Sequence, residues 1–308
     1  MSAAIELQGV RKTFGSTVAV DDLDLVVPEG SIYGFIGPNG AGKTTTIRII
    51  VSILLPDAGV VRILGHRSAL EARDRIGYLP EERGIYRKMK VGAFLRYIGN
   101  LKGVPSRDVG RKVRTWLERV ELPDVEGKVC DELSKGMLQK VQFITAVLHD
   151  PDLLILDEPF SGLDPVNMRL MRDLIVEQRE RGTTIIFSTH VMPQAEQLCE
   201  HVIMLHHGRK VLDDAVSGIR AKYDTGCIVL EPAQPDTDTS ALAGIPGVMS
   251  SRRENGTIRI AIREGADPSQ LLADVVRTIP AVSAEVERPT LEDVFVRIVR
   301  DDVTESEA

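Results

Sequence analysis

Short apolar runs and stretches of helical periodicity alternate along the chain, and their order predicts a mixed α/β fold. Between about residues 5 and 65, β-rich runs such as "SIYGFIG" and "GVVRILG" are separated by turn signals, with a helix predicted after Gly42. Apolar residues then recur at helical spacing, which predicts a helical insert over about residues 88–150. Strands return in "DLLILDE" and "TTIIFSTH", which are nearly continuous apolar runs with a helix between them. This is typical of a βαβ unit in a sheet buried on both faces.

The last third of the chain has a different pattern, which predicts a separate small domain. Beyond residue 220 the elements read β-α-β-β-α-β and then a last helix, with "CIVLEP" as the first strand and "TIRIAIR" as the third. That order matches a split βαβ, ferredoxin-like α+β module. We therefore expect a larger domain over 1–220 and a small accessory domain over 221–308. The accessory domain either supports stability or dimer formation, or it regulates the larger domain, because its fold alone decides no function.

Length and composition agree with two globular domains and narrow the class of partner. The chain has 308 residues, of which 43% are apolar, enough for a core in each domain. Its 38 Lys and Arg face 45 Asp and Glu, a net charge of -7, which argues against nucleic acid as the main partner. Three widely spaced cysteines indicate free thiols in a reducing cytosol. The N-terminus lacks a signal-peptide core, and Arg48 and Pro56 interrupt and end the longest apolar run, so we expect no membrane-spanning segment.

A glycine-rich loop carries the strongest chemical signal. The stretch "GPNGAGKTT" follows a predicted strand and opens a predicted helix, which is the context of a phosphate-binding loop. Backbone N–H groups and the helix N-terminus would hold the phosphates, with Lys43 at the β- and γ-phosphates, Thr44 on Mg²⁺ and Thr45 toward the α-phosphate. The plain alternative is a glycine-rich turn that binds nothing. The expected nucleotide-binding residues of this loop are Gly37, Pro38, Asn39, Gly40, Ala41, Gly42, Lys43, Thr44 and Thr45.

Polar residues at the ends of two predicted strands extend this site. Asp157 and Glu158 end one apolar run and His190 ends another, and ligands of open α/β sheets bind at the carboxyl ends of the strands. We expect Asp157 to hold Mg²⁺ through its water shell, Glu158 to polarise the attacking water, and His190 to contact the γ-phosphate and orient that water. The carboxylates alone also fit an ordinary strand-to-turn boundary, and a lone histidine at a strand end is more often structural.

The order of these motifs resembles the nucleotide-binding subunits of ATP-binding cassette (ABC) transporters. After the phosphate loop come "LSKGM", "LLILDEP", "SGLD" and "STH", and the likeness runs over about residues 5–211. The resemblance implies a P-loop ATPase of the ABC type that uses ATP and Mg²⁺. It also implies that Phe14 stacks on adenine, that Glu81 in "YLPEERGIY" senses Mg²⁺ beside the membrane subunit, and that Asp164 lies in the loop that communicates across a dimer. For Phe14 the alternative is a core aromatic.

The same resemblance makes "LSKGM" a signature motif, which in this family caps the γ-phosphate bound to a second subunit. Ser134 would supply a hydroxyl, Lys135 a positive charge and Gly136 room for the phosphate. That room would explain a glycine that costs a helix about 1 kcal/mol relative to alanine. Lys135 and Met137 replace the usual glycine and glutamine, and Glu81 replaces the usual glutamine of the sensing loop, so the details of coupling are open.

The resemblance finally predicts partners and place. The chain would act as a peripheral protein on the cytoplasmic face of the cell membrane, with a second ATPase subunit, identical or different, and a separate permease bound around Glu81 to Met89. The stretch "GYLPEERGIYRKM" and the accessory domain resemble bacterial exporter ATPases of sodium extrusion and drug resistance. The alternative is a soluble ABC protein of DNA repair or translation, whose usual coiled coils or second cassette are not seen here. The transported substrate and its direction cannot be read from the sequence.

Overall fold

The structure of the chain is a computed structural model that describes residues 2–81, 84–223, 226–263 and 265–306. Contacts between Cα atoms divide the chain into two units, Met1–Val216 and Ser217–Ala308. The strands of the first unit are β1 (Ala3–Phe14), β2 (Thr17–Pro28), β3 (Ile32–Ile36), β4 (Ala58–Ile63), β5 (Ile76–Leu79), β6 (Leu153–Asp157), β7 (Thr184–Thr189), β8 (His201–His206) and β9 (Arg209–Ala215). Its helices are α1 (Lys43–Ile50), α2 (Val91–Leu101), α3 (Ser106–Arg119), α4 (Lys135–Val147), α5 (Pro165–Glu180) and α6 (Met192–Leu198), and α7 (Val216–Lys222) begins at the boundary.

The central sheet of the first unit has the strand order β5-β6-β7-β3-β8-β9 across the described residues. Its strands pair in parallel except for β9, which pairs antiparallel with β8. Every residue of β3, β6 and β7 is buried, as the continuous apolar runs predict for a sheet covered on both faces. Helix α5 connects β6 to β7 in parallel, which confirms the predicted βαβ unit. The carboxyl ends of these three strands therefore meet at one edge.

A second sheet and the helical insert complete the first unit. Strands β2, β1 and β4 form an antiparallel sheet in that order, and its apolar side chains share one core with α1 and the central sheet. Helices α2, α3 and α4 form the predicted insert. Helix α4 lies so close to β5 that a Cβ atom built on Gly77 would stand 2.0 Å from the carbonyl oxygen of Ala146. A strand glycine thus allows the insert to pack directly against the sheet.

The second unit is the α+β module that its element order predicts. Its four strands pair antiparallel in the order β11-β12-β10-β13, which is the strand order of a split βαβ fold. The apolar faces of the strands and of α8 form a separate core, and a 3-10 turn at Ser240–Gly244 stands where the first helix is expected. The elements are β10 (Cys227–Pro232), β11 (Val248–Glu254), β12 (Thr257–Ile262), α8 (Pro268–Thr278), β13 (Ala281–Glu287) and α9 (Leu291–Ser306).

The contact of Gly77 predicts opposite effects of two glycine-to-alanine substitutions. Gly77→Ala lowers the free energy of unfolding by about 3 kcal/mol or more, because a backbone carbonyl cannot rotate away from the added methyl group. Gly110→Ala in α3, where no atom lies within 4 Å of the built Cβ, raises it by about 0.5–1 kcal/mol through helix propensity. Urea unfolding followed by the fluorescence of Trp116, the chain's single tryptophan, measures both. Equal effects of the two substitutions would contradict the packing argument.

Candidate active site

A cavity of about 350 Å³ lies at the carboxyl edge of the central sheet. Its walls come from the start of β2, the glycine-rich loop after β3, the loop after β5 and the end of β6. The residues that line it are Thr17, Val18, Ala19, Asn39, Gly40, Ala41, Gly42, Lys43, Thr44, Thr45, Glu81, Asp157 and Glu158. The fold therefore brings the glycine-rich loop together with three of the carboxylates that the sequence singles out, Glu81, Asp157 and Glu158.

The glycine-rich loop has a shape that its own backbone contacts require. Gly37 has φ of 147°, and a Cβ atom built on it would stand 2.3 Å from the carbonyl oxygen of Leu205. Gly42 has φ of 103°, and its built Cβ would stand 2.4 Å from the carbonyl oxygen of Ala19. Side chains at these two positions would collide with β8 and β2. The loop is thus held open before any ligand binds, with its backbone and the N-terminus of α1 bordering the cavity.

Lys43 places a buried positive charge at this loop. Its ammonium group donates hydrogen bonds to the carbonyl oxygens of Gly37, at 2.7 Å, and Pro38, at 3.0 Å. Burial lowers the pKa of Lys43, while the charges of Glu158, Asp157 and, less strongly, Glu81 raise it. The lysine is therefore a cation held by neutral carbonyl groups inside a field of carboxylates, an arrangement suited to an anionic ligand.

Asp157 brings a buried carboxylate to the same cavity. The residue is 1% exposed, and neither of its carboxylate oxygens has a hydrogen-bond partner among the described residues. Burial raises the pKa of this carboxyl to about 6; the nearby hydroxyl groups of Ser188 and Thr44 oppose the shift without forming a hydrogen bond of good geometry, and the charges of Glu81 and Glu158 add to it. Buried carboxylates without partners are costly unless a cation or a proton compensates them. The geometry fits a site that is completed by a ligand.

Glu158 and His190 form a hydrogen-bonded pair beside Asp157. Oε1 of Glu158 accepts hydrogen bonds from the backbone N–H of His190 and lies 2.6 Å from its Nδ1, while Oε2 accepts from the hydroxyl of Thr189 at 3.3 Å. The backbone of Glu158 has φ of 50°, a strained value for a residue with a side chain. The end of β7 thus fixes a carboxylate at the rim of the cavity, in a position to accept a proton from water.

The remaining sequence-predicted residues lie outside the cavity lining. Phe14 ends β1 with 49% of its surface exposed, so the alternative of a core aromatic is wrong. Ser134 caps α4, and its hydroxyl accepts a hydrogen bond from the backbone N–H of Met137 at 3.3 Å. Asp164 caps α5, and its Oδ1 accepts from the backbone N–H of Asn167 at 2.9 Å. Both polar side chains thus have a local helix-capping role in the isolated chain.

Two features of the site have no signal in the sequence. Thr17 to Ala19 line the cavity only because the β1–β2 hairpin folds over the glycine-rich loop, which is a tertiary contact. A Cβ atom built on Gly136 would lie 3.3 Å from the carbonyl oxygen of Gly162, so packing inside one chain already favours glycine at 136, whatever approaches from outside. The Cβ atom of the neighbouring Lys135 would lie 3.7 Å from a Cβ atom built on Gly162 in the same loop.

Comparison with known proteins identifies the family. The chain is 39% identical over 295 residues to an uncharacterised ABC transporter ATP-binding protein, YhaQ, of Bacillus subtilis (strain 168), covering 96% of this chain and 98% of that protein. The chain belongs to the family of ABC transporter ATP-binding proteins. Members of the family hydrolyse ATP to power membrane transport, and this chain is an ATP-binding subunit with that activity.

Other comparisons agree with this membership. The ABC transporter family profile matches residues 20–161, and that of the ATP-binding protein DrrA1-3-like C-terminal domain matches 215–299. A Nod factor export ATP-binding protein I of Cupriavidus pinatubonensis (strain JMP 134) is 33% identical over 301 residues, 97% of this chain and 91% of that one. A solved structure titled as the ATP binding subunit of an ABC transporter superposes with a TM-score of 0.67 at 31% identity, covering 71% of this chain and 93% of that one. None of the described helices is long and apolar enough to span a bilayer.

The buried charge of Asp157 is expected to lower the free energy of unfolding of this ABC ATPase. In the unfolded chain the carboxyl titrates near 3.8, so the cost of the buried charge is absent below that pH and complete above pH 6. In EDTA, Asp157→Asn therefore unfolds with a free energy up to about 3 kcal/mol higher than wild type at about pH 7.5, and the gain shrinks as the pH falls toward 4. Urea unfolding at several pH values measures this. A gain that does not change with pH, or a less stable variant, would contradict the burial argument.

Proposed function

We propose that this ATPase subunit powers an exporter, and that each of its ATP sites needs two copies of the cassette. The observation that supports a working ATPase is the cavity itself, where Lys43 and the glycine-rich loop face the buried Asp157 and the Glu158–His190 pair. In this proposal Lys43 binds the β- and γ-phosphates, Glu158 accepts a proton from the attacking water, and His190 holds Glu158 and contacts the γ-phosphate.

The donor groups in the cavity fit Mg²⁺. The ion binds oxygen ligands, keeps several of its waters, and is held by one or two carboxylates together with substrate phosphates. Asp157 offers two buried carboxylate oxygens that form no hydrogen bond of good geometry with any residue the structure describes, Thr44 lines the cavity with a hydroxyl group, and Glu81 adds a further carboxylate. When bound, the cation would neutralise these charges and those of the phosphates. The carboxylate at Glu81 supplies an oxygen but no amide donor, so its role is that of a ligand only.

The dimer proposal is supported by the position of the signature residues outside the cavity lining. Ser134 and Lys135 are exposed at the N-terminus of α4, where a helix N-terminus attracts anions. In a head-to-tail pair they would cap the γ-phosphate in the partner's cavity, with Gly136 beside them and Asp164 in the loop between the two sites. Phe14, exposed at the end of β1, would stack on adenine. The two chains would be copies of this one or a copy and a related subunit.

The surface proposed for the permease lies next to Glu81. Tyr86 and Tyr97 are 55% and 44% exposed, and their ring centroids lie 6.0 Å apart. Exposed aromatic side chains in contact with each other are typical of protein interfaces. Glu82 and Arg83, which the sequence also places in this surface, lie outside the described residues. The chain would act at the cytoplasmic face of the membrane as a peripheral subunit.

Export as the direction of transport is supported by the relatives. Several of them are named Nod factor export ATP-binding protein I, and the C-terminal part matches a domain of DrrA1-3-like ATP-binding proteins. We propose the functional division as an ATPase domain over 1–220 and an accessory domain over 221–308. The accessory domain has two possible roles, and support of stability or dimer formation is simpler than regulation. Truncation near Lys222 tests one role against the other.

The proposed roles of Glu158 and Ser134 predict that both variants lose ATP turnover but differ in formation of the ATP-bound dimer. Glu158→Gln abolishes steady-state ATP turnover, because an amide cannot accept the proton, and it accumulates an ATP-bound dimer. Ser134→Arg also abolishes turnover but forms no such dimer, because a bulky side chain blocks the cap. Turnover and dimer mass in Mg·ATP are measured beside Glu118→Gln, an exposed position on α3, which keeps wild-type behaviour. Normal turnover of Glu158→Gln would refute the assignment of the water-polarising carboxylate.

The proposed adenine contact predicts a change in affinity alone. Phe14→Ala weakens ATP binding about tenfold or more, since stacking of a base on an aromatic ring contributes about 1–3 kcal/mol, while kcat at saturating ATP stays near wild type. Phe14→Tyr keeps the ring and the affinity. Equilibrium binding of a fluorescent ATP analogue measures the difference. An unchanged dissociation constant in Phe14→Ala would place the adenine elsewhere.

A further inference from the structure

One face of α4 holds the loop that carries Glu158. The side chain of Gln139 is 4% exposed, and its Nε2 donates a hydrogen bond of 2.9 Å to the carbonyl oxygen of Pro159, the residue after Glu158. One turn earlier on α4, a Cβ atom built on Gly136 would lie 3.3 Å from the carbonyl oxygen of Gly162 in the same loop. Residues three apart lie on one face of a helix. The helix that begins with the signature motif thus lies against the loop at two positions, Pro159 and Gly162.

The end of β7 holds this loop at Glu158, whose backbone N–H donates to the carbonyl oxygen of Ser188 at 3.0 Å and whose side chain accepts from the backbone N–H of His190. Glu158 is in the left-handed region with φ of 50°, and Pro159 has no N–H group to donate. The backbone N–H of Ser161 donates to the carbonyl oxygen of Glu158 at 3.1 Å, and the ring of Phe160 packs on that of Phe187. Neither of these two contacts involves the carbonyl oxygen of Pro159. The buried amide of Gln139 donates to this carbonyl oxygen.

We infer that Gln139 is a positioning residue for hydrolysis, which ties the signature helix of one ATP site to the water-polarising carboxylate of the other. The inference rests on the proposed function, in which α4 caps ATP in the partner's cavity while Glu158 serves the cavity of its own chain. A movement of α4 on closing over the partner's γ-phosphate pulls on the Pro159 carbonyl and so on the backbone of Glu158. Each chain therefore carries one rigid connection between the two sites of the dimer.

Gln139→Met tests this connection, because methionine fills the same space without a donor. We expect kcat to fall about tenfold, the effect of one lost orienting hydrogen bond, while the affinity for a fluorescent ATP analogue stays within about twofold. The matched control is Gln142→Met on the same helix, since Gln142 is also buried and its Oε1 has no partner among the described residues. That variant keeps wild-type kcat. Trp116 fluorescence during urea unfolding confirms that both variants are folded.

A second variant keeps the test decisive if methionine disturbs the core. Gln139→Glu preserves size but, when ionised, presents only acceptors to the Pro159 carbonyl, so it loses turnover at about pH 8.5 as Gln139→Met does. A buried carboxyl has a raised pKa, and its protonated form donates a hydrogen bond again. The ratio of turnover of Gln139→Glu to that of Gln139→Met therefore rises as the pH is lowered to about 6.5. A constant ratio counts against the hydrogen bond as the cause.

The double variant separates positioning of Glu158 from support of the signature helix. Single-turnover hydrolysis by Gln139→Met/Glu158→Gln should be within about twofold of that by Glu158→Gln alone, since a residue that acts through Glu158 has nothing left to position. The double variant should still form the ATP-bound dimer. Further loss of hydrolysis, loss of that dimer, an equal defect in Gln142→Met, or wild-type kcat in Gln139→Met would each overturn the inference. Wild-type turnover in Glu158→Gln would instead show that the proposed function itself fails.

Discussion

Uncompensated charge at the carboxyl edge of a parallel sheet is the constraint on which the site depends. Asp157 is buried, and within the described part of the chain its carboxylate oxygens form no hydrogen bond of good geometry. The hydrogen bonds described for the ammonium group of Lys43 go to carbonyl oxygens. The two groups do not neutralise each other by direct contact. A ligand that brings both negative phosphates and a cation would satisfy both groups, which is the reason for proposing Mg·ATP as the ligand of this cavity.

The rest of the first unit fixes the geometry of the carboxyl edge of the central sheet. Apolar strands β3, β6 and β7 bury the backbone on which Lys43, Asp157 and His190 depend, and close backbone contacts at Gly37 and Gly42 hold the loop open. The loop from Glu158 to Asp164 links the proposed catalytic carboxylate to the proposed dimer interface. It begins with Glu158, the proposed proton acceptor, and ends with the cap of α5, and Gln139 of α4 donates a hydrogen bond to the Pro159 carbonyl oxygen between them. These neighbouring contacts hold the strained backbone of Glu158 in place.

Local patterns predicted much of this arrangement because their causes are local. A strand, a glycine-rich loop and a helix in succession predict the phosphate loop, and continuous apolar runs predict the buried strands whose ends carry Asp157 and His190. The order of elements was also enough for the antiparallel module after residue 220. In each case neighbouring residues decide the geometry.

Contacts between segments distant in the chain could not be predicted from the sequence. Nothing near Thr17 indicates that it borders the cavity, and the exposure of Phe14 follows from how a hairpin packs. Gly136 was explained by a phosphate from outside, whereas the structure adds a backbone neighbour, Gly162, in the same chain. Gln139 reads as an ordinary helical residue until its partner 20 positions away is known. Such roles depend on tertiary distances that periodicity does not contain.

In the proposed dimer each ATP site is completed by a second chain, and mixing two inactive variants tests this proposal. A chain with Lys43→Ala cannot hold the phosphates, and a chain with Ser134→Arg cannot cap them. In a mixed dimer, the intact cavity of the second faces the intact signature of the first. ATP turnover of an equimolar mixture should rise well above that of either variant alone, because each mixed dimer has one complete site, and random pairing of the two chains would give about a quarter of the wild-type rate. A mixture as inactive as either variant alone would contradict sites shared between two chains.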